Sequence, residues 1–218
     1  MARSRLGIVI PIKNEEKTIR KLIQSVIKFG DVIVVNDCSD DNSLKILKKF
    51  KLKIINNKST LGYEKTVLRG LQYCFKKKYK YIATIDGDGQ HNPNFLKNII
   101  KIRKFELLIA SRNEFNRFSE YIFSSLSKII MKIEDPLSGM KVYTYNTLNK
   151  LKRIESYNTL NTFILYDLSK HCKKIYQIPS KIKKRKDQSR VGNLILGEYL
   201  VLKSILKFTI LILLNKFL

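Results

Sequence analysis

The sequence predicts an α/β fold: a mixed, mainly parallel sheet flanked by helices and followed by apolar C-terminal helices. Three observations predict it. Short apolar runs alternate with amphipathic stretches through the first half of the chain. Several of those runs end in clusters of acids and amides. The chain has 218 residues, of which 44% are apolar, enough for one domain with a sizeable core and unlike a disordered or collagen-like chain.

The elements follow in order. Leu6–Ile12 is a continuous apolar run, the pattern of a buried strand. Across Glu15–Phe29, Ile19, Leu22, Ile23, Val26 and Ile27 recur at helical spacing. Val32–Val35 is a second strand, Ser43–Phe50 a helix and Lys53–Ile55 a short third strand. Glu64–Lys77 places Val67, Leu68, Leu71 and Phe75 on one side of a helix. Tyr81–Ile85 is a strand, Asn94–Arg103 a helix and Leu107–Ala110 a further strand. Such alternation implies parallel strands joined by crossover helices, with both sheet faces covered. Beyond residue 111 the pattern weakens to a helix over Phe118–Ile133 and a strand over Ile175–Ile178. The expected division is a globular domain over 1–192 and an apolar tail over 193–218.

In that tail, Leu194–Leu218, 17 of 25 positions are hydrophobic, but Glu198, Lys203, Lys207 and Lys216 interrupt them. A membrane-spanning helix needs about 20 mostly apolar residues. The tail is therefore expected to rest on a membrane surface or a partner, or else to pack on its own domain.

The formal charge is +25, from 43 Lys and Arg against 18 Asp and Glu. It points either to a polyanionic partner or to a Lys-rich composition bias. Residues 141–190 hold thirteen Lys and Arg against three acids, so the positive field is concentrated late in the chain. Cys38, Cys74 and Cys172 are odd in number and widely spaced, which speaks against a disulfide framework or zinc finger and for a reducing compartment. The N-terminus is read as a first strand, because acids follow its short apolar run at once.

Open α/β sheets bind ligands beyond the carboxyl ends of their strands. There the chain carries Asn14-Glu15-Glu16, Asn36-Asp37-Cys38-Ser39-Asp40-Asp41, Asp86-Gly87-Asp88-Gly89-Gln90-His91 and Ser111-Arg112. Asp86 and Asp88, one glycine apart, can turn toward a common point. Hard oxygen donors there suit Mg²⁺ or Mn²⁺, with Gln90 adding an amide oxygen. The competing reading is an ordinary Asp-Gly turn. Asp37 suits a ribose or base, while Ser39 or Asp40 suits a helix cap. Asn14, Glu15 and Glu16 suit either a cap or a nucleotide, and His91 either a metal or the acceptor side. Asp135, in Asp135-Pro136-Leu137-Ser138-Gly139, suits a general base or a turn acid. The run Lys181–Lys186 is either a solvated loop or a phosphate-facing patch beside the apolar tail.

Six segments in order resemble the family-2 glycosyltransferases of the GT-A fold, especially their dolichyl-phosphate mannose synthase-like branch. They are IVIPIKNEEKTI, VIVVNDCSDDNS, TLGYEKTVLRGL, YIATIDGDGQHNP, DPLSGMKVY and IPSKIKKRKDQSR, together spanning about residues 6 to 190. Departures are Asn36 for the family's Asp, Cys38 for Gly, Thr60 for Asn, Glu64 for Gly, and Asp187 and Gln188 for small residues. Thr159–Asp167 also lacks the usual acid after a Phe, unless Asp167 stands in for it.

The resemblance implies metal-dependent, inverting transfer of a sugar from a nucleotide-sugar. In this branch the acceptor is commonly a polyprenyl phosphate at the membrane; a glycan hydroxyl is the alternative. It implies donor contacts at Pro11, Asn14, Glu16, Asp37 and Asp86, with Mg²⁺ or Mn²⁺ on Asp86, Asp88 and Gln90. It implies phosphate or acceptor contacts at Arg112, Arg185, Ser189 and Arg190; the catalytic candidates are Asp88, through the metal, and Asp135, as the base if the acceptor is a hydroxyl. The expected location is cytoplasmic, peripheral at the inner face of the cell membrane. The rival is a basic nucleic-acid or lipid-binding protein without catalysis, and no RNA-type aromatic signature favours it.

Overall fold

The computed structural model describes residues 6–102, 104–151, 154–155, 157–183 and 194–216. Seven strands form one sheet in the order β3-β2-β1-β4-β6-β5-β7. They are β1 Leu6–Ile12, β2 Asp31–Asn36, β3 Lys53–Asn56, β4 Tyr81–Thr84, β5 Leu107–Ser111, β6 Lys141–Thr144 and β7 Ile175–Pro179. Only β6 runs antiparallel, pairing with β4 on one side and β5 on the other. The helices are α1 Ile19–Val26, α2 Ser43–Leu47, α3 Tyr63–Lys76, α4 Asn98–Lys101, α5 Phe118–Met131, α6 Tyr145–Leu148, α7 Thr162–His171 and α8 Leu194–Lys216.

Strand side chains alternate between faces, so each central strand feeds two cores. Ile8, Ile10 and Ile12 pack with Ile19, Leu22, Ile23 and Val26 of α1, Leu47 of α2 and Ile99 of α4. Val9, Ile33 and Val35 pack on the other face, with Val67, Leu68 and Leu71 of α3 and with apolar residues of α5, α7 and α8. That double burial is why β1 and β2 read as unbroken apolar runs rather than alternating ones.

Pro11 sits in the central strand without breaking it. The β1–β4 ladder covers Leu6 to Val9 only, so Pro11 lies past the last rung toward β4. There β4 has already turned away to form the Asp86 loop.

Several elements differ from the sequence expectation, among them α2, which ends at Leu47 rather than Phe50, and the short α6, which was not foreseen. The first helix is shorter than Glu15–Phe29, because the chain before Ile19 is held in turns by bonds to the loop after β2. Asn94–Arg103 divides into a 3₁₀ turn, Pro93–Lys97, and α4, with the Asn92 side chain capping the start. β6 was not foreseen: it is four residues long and contains a buried lysine, which no apolar pattern marks. α7 was also not foreseen; Phe163, Ile164, Leu165, Tyr166 and Leu168 are all buried, so the helix shows no amphipathic stripe.

The C-terminal apolar stretch is a single helix. α8 packs against α5 and α7, and its Val201, Phe208 and Ile212 join the sheet's apolar core. Phe208 meets the Phe123 ring at 5.4 Å and the Tyr166 ring at 5.9 Å between centroids. Among the described residues no helix is long and apolar enough to cross a membrane. Cys38, Cys74 and Cys172 are free thiols.

Candidate active site

The loops after β1, β2 and β4 meet at one edge of the sheet because their strands are neighbours and parallel. The first two loops are stitched together. Asn14 N–H donates to Ser39 Oγ (3.0 Å) and Asp40 N–H to Asn14 Oδ1 (3.0 Å). Glu16 N–H donates to Asp41 Oδ2 (2.9 Å), while Glu16 Oε2 accepts from both nitrogens of Asn42 (3.0 and 2.9 Å). Asn14 and Cys38 both sit at a φ of 56°. That left-handed backbone explains the glycine that the resemblance leads one to expect at 38. Asn14 and Glu16 are thus committed to holding the loops in place.

Asp37 is 4% exposed and organises the next layer. Its Oδ1 accepts from Asn57 Nδ2 (2.7 Å) and Leu61 N–H (2.8 Å), its Oδ2 from Gly62 N–H (2.9 Å). Burial alone would raise its pKa, but these hydrogen bonds outweigh it and hold the carboxyl below its usual value. Asp37 therefore fixes the start of α3, and through Gly62 it sets the position of Tyr63.

Tyr63 closes the link to the metal motif: its hydroxyl donates to Asp86 Oδ1 at 2.9 Å. Burial and the adjacent carboxylate push its pKa well up, so it remains a neutral donor. Asp86 also faces His91 Nε2 at 3.8 Å from Oδ2, and its side chain is 27% exposed. Burial raises the Asp86 carboxyl, yet His91, the Tyr63 hydroxyl and the Lys141 ammonium together hold it low, hence ionised. Backbone supports it from below. A Cβ at Gly139 would stand 1.9 Å from Asp86 Oδ2, so only glycine fits there. Gly87 is nearly as confined, its added Cβ lying 3.0 Å from the Pro11 carbonyl. Pro11 thus backs the Asp86–Asp88 turn, and Thr18 Oγ1 ties that turn down by donating to the Gly87 carbonyl (2.8 Å).

Asp88 Oδ1 accepts from Gln90 N–H (3.0 Å). Gln90 in turn exchanges bonds with Lys183: its Nε2 donates to the Lys183 carbonyl (3.0 Å), and Lys183 N–H donates to the Gln90 carbonyl (2.9 Å). The first part of the basic run is therefore laid beside the Asp86–Asp88 turn. Arg185, Ser189 and Arg190 lie outside the described residues.

On the other flank, the sequence-nominated Arg112 and Asp135 are paired with each other. Arg112 Nε and Nη2 donate to the two Asp135 oxygens, both at 2.8 Å, and its Nη1 reaches Glu120 Oε2 at 3.2 Å. Asp135 is 0% exposed. Arg112, expected at a phosphate, and Asp135, expected as a base, are each other's partners here. Both groups are occupied in positioning the chain between β5 and β6, because a buried carboxylate needs a partner that satisfies both oxygens.

Lys141 is a residue that sequence reasoning missed. It is 5% exposed on β6, and its Nζ donates to the Ser138 carbonyl. Burial lowers its pKa to about 8, against the upward pull of Asp135 and Asp86. It lends positive charge to the Asp86 end of the site. Its only sequence signal is its place after Gly139-Met140, where the resemblance expects an arginine. Tyr63 had no signal, since its contact depends on how α3 begins.

Among the described residues, no three His, Cys, Asp or Glu side chains cluster so as to hold a metal ion. The protein offers two hard carboxylates on one turn and leaves further positions to water or substrate oxygens. That donor set fits Mg²⁺ or Mn²⁺ shared with a diphosphate, and does not fit a caged structural ion.

The model of glycosyl transferase family 2 matches residues 7–113. An uncharacterized protein of Methanocaldococcus jannaschii is 30% identical over 194 residues, covering 78% of this chain and 84% of that one. UDP-N-acetylglucosamine–dolichyl-phosphate N-acetylglucosaminyltransferase of Methanococcus voltae is 26% identical over 120 residues, covering 46% and 48%. The fold matches glucosyl-3-phosphoglycerate synthase from Mycobacterium tuberculosis, solved with Mn²⁺, UDP and glucosyl-3-phosphoglycerate. That match has a TM-score of 0.69 and 18% identity, over 95% of this chain and 80% of the other. The sheet is thus a GT-A sheet, and the Asp86–Asp88 turn falls inside the matched segment. The chain belongs to glycosyl transferase family 2 and is a glycosyltransferase.

Proposed function

We propose that the chain transfers a sugar from a nucleotide-sugar, with inversion, to a polyprenyl phosphate at a membrane surface, with Mg²⁺ or Mn²⁺ bound. The observation that carries this reading is the Asp86–Asp88 turn at the carboxyl end of β4, with Asp86 held ionised by His91, Tyr63 and Lys141. Asp86, Asp88 and Gln90 would hold the cation. When bound, it neutralises charge on the departing diphosphate as a Lewis acid. The chain's own groups do the rest. Gly87 and Gly139 keep the carboxylates at the mouth, Pro11 backs the turn, and Asp37 positions α3. Gln90 holds Lys183 beside the same turn, where its ammonium would face the donor phosphates.

The state of Asp135 favours a phosphate acceptor. A phosphate is already ionised at neutral pH and needs no general base, whereas a sugar hydroxyl does. The acid nominated for that task is buried and paired to Arg112. Two relatives act on such acceptors by name: the dolichyl-phosphate enzyme above, and an undecaprenyl-phosphate 4-deoxy-4-formamido-L-arabinose transferase of Proteus mirabilis, 22% identical over 164 residues.

The test incubates pure protein with Mn²⁺ and a panel of nucleotide-sugars, with and without polyprenyl phosphate, and measures released nucleoside diphosphate. Release that requires the lipid phosphate is expected, with loss of turnover in Asp88→Ala at unchanged far-UV dichroism. Release that requires a glycan, or salt-sensitive DNA binding with no release, would overturn the reading.

A further inference from the structure

We propose that the outward faces of α5 and α8 form one docking surface for an anionic lipid bilayer, kept in register with the catalytic edge by Arg117 and Glu198. The inference deepens the acceptor reading and rests on it only for its purpose.

A helix that is apolar on every side belongs in a core, yet α8 is buried on one side alone. Val201, Phe208 and Ile212 face the core, while Ile195, Tyr199, Leu202, Leu206, Ile210 and Leu213 are each between 45% and 83% exposed. The packed neighbour repeats the pattern. On α5, Phe123 and Met131 are buried, while Phe118 (75%) and Ile129 (82%) stand in solvent with Tyr121 and Ile122. Apolar side chains in such number on two adjoining helices mark an interaction surface.

Two features select the occupant. Charge is the first. The chain carries +25, so a second copy would bring the same charge to the contact, whereas anionic headgroups are attracted. Lys203 is exposed among these apolar residues, its Nζ 5.7 Å from the Tyr199 ring centre, whereas Lys128 on α5 is paired with Glu134 at 3.2 Å. Long cationic stems beside exposed aromatic rings suit the headgroup layer. The second feature is attachment. α8 is held along one side by α5 and α7, so it can lie on a bilayer but not enter it.

The surface is also tied to the site. Glu198 of α8 accepts from Phe118 N–H (2.8 Å) and Ser119 N–H (3.0 Å), capping α5 from outside. Gly197 lets Arg117 lie against α8, since a Cβ there would be 2.3 Å from Arg117 Nε. Arg117 pairs with Glu120 (2.9 Å), and Glu120 with Arg112 (3.2 Å), which grips Asp135. One ionic chain thus runs from the apolar faces to the carboxyl end of β5, so the two helices are held in a fixed position relative to that sheet edge.

The test is co-sedimentation of the full chain with phosphatidylglycerol–phosphatidylcholine vesicles and with pure phosphatidylcholine vesicles. Binding to the anionic vesicles is expected, with binding of the double variant Leu202→Glu, Leu206→Glu weaker by about tenfold or more. Both sites are exposed, and thermal melting checks that the variant is folded. A variant that binds as well as the parent would mean the basic residues act alone, and the proposal falls. It falls equally if the parent ignores both vesicles, or if light scattering shows a dimer that the same substitutions dissolve. Turnover is read separately: docking without lipid-phosphate turnover defeats the acceptor reading and leaves the docking surface standing.

Discussion

Gly139 shows how little freedom the Asp86 carboxylate has. It shares no motif with Asp86 and lies 53 positions away, yet its missing side chain is the space that Asp86 fills. Gly139→Ala forces the carboxylate to move. A displacement of about 1 Å costs on the order of 100-fold in turnover, so kcat/KM should fall about that far while the far-UV spectrum is retained. Unchanged kinetics would show that Asp86 need not stay where the fold puts it. Asp37 offers a pH-dependent prediction. Its folded pKa lies below the ordinary aspartate value of 3.8, so its stabilising contribution is complete above that value and lost as pH falls through the folded one. Urea denaturation from pH 6 to 2 should show an acid-side loss of stability that is smaller in Asp37→Asn. At neutral pH that variant should be less stable by about 1–3 kcal/mol, since Leu61, Gly62 and Asn57 lose their ionic acceptor.

At the scale of elements, β6 and α8 decide most of what is particular here. β6 runs against its neighbours and thereby carries Gly139 and Lys141 back to the Asp86 loop. Its four residues have no apolar period, so it stays invisible until β4 and β5 supply edges for it to fill. α8 had been read as a tail resting on a membrane or a partner, or packed on its own domain, and it does pack, through Phe208 against Phe123 and Tyr166. Phe208→Ala should destabilise the whole chain by about 3–5 kcal/mol, measured as a lower midpoint in a single urea transition. Two separate transitions would mean that α8 is an independent unit. The first helix teaches the same lesson. Apolar spacing located its inner face correctly, but the start at Ile19 depends on Ser43 and Asp41 reaching across from another loop.

For the whole molecule, the proposed donor set would make the cation a companion of the substrate, not part of the fold. EDTA should abolish turnover while shifting the melting temperature by no more than about 1 °C, because an ion that is not caged adds nothing to the ligand-free state. A large drop in melting temperature would point to a structural ion. The charge of +25 acts on the same scale. It sets which surfaces attract the chain, not how it folds. Vesicle binding should accordingly weaken as salt shortens the Debye length from about 10 Å at 0.1 M, without vanishing, since the apolar faces contribute independently of salt.

The sequence by itself determined the fold class, the first five strands within a residue or two, and the Asp86–Asp88 turn. Each of these rests on local signals: apolar runs for doubly buried strands, acids and amides where such strands end. It also brought out Asp37 and the loop after β1, but not their tasks, because Asn14, Glu16 and Asp37 are engaged by partners about 20 to 26 residues away. Only the tertiary structure decided that Arg112 and Asp135 neutralise each other, that Tyr63 and Lys141 attend Asp86, and that α8 buries one apolar side and bares the other. The reason is physical: burial and pairing belong to side chains brought together by strand order, and a chain's local pattern states what each residue is without saying what it will face.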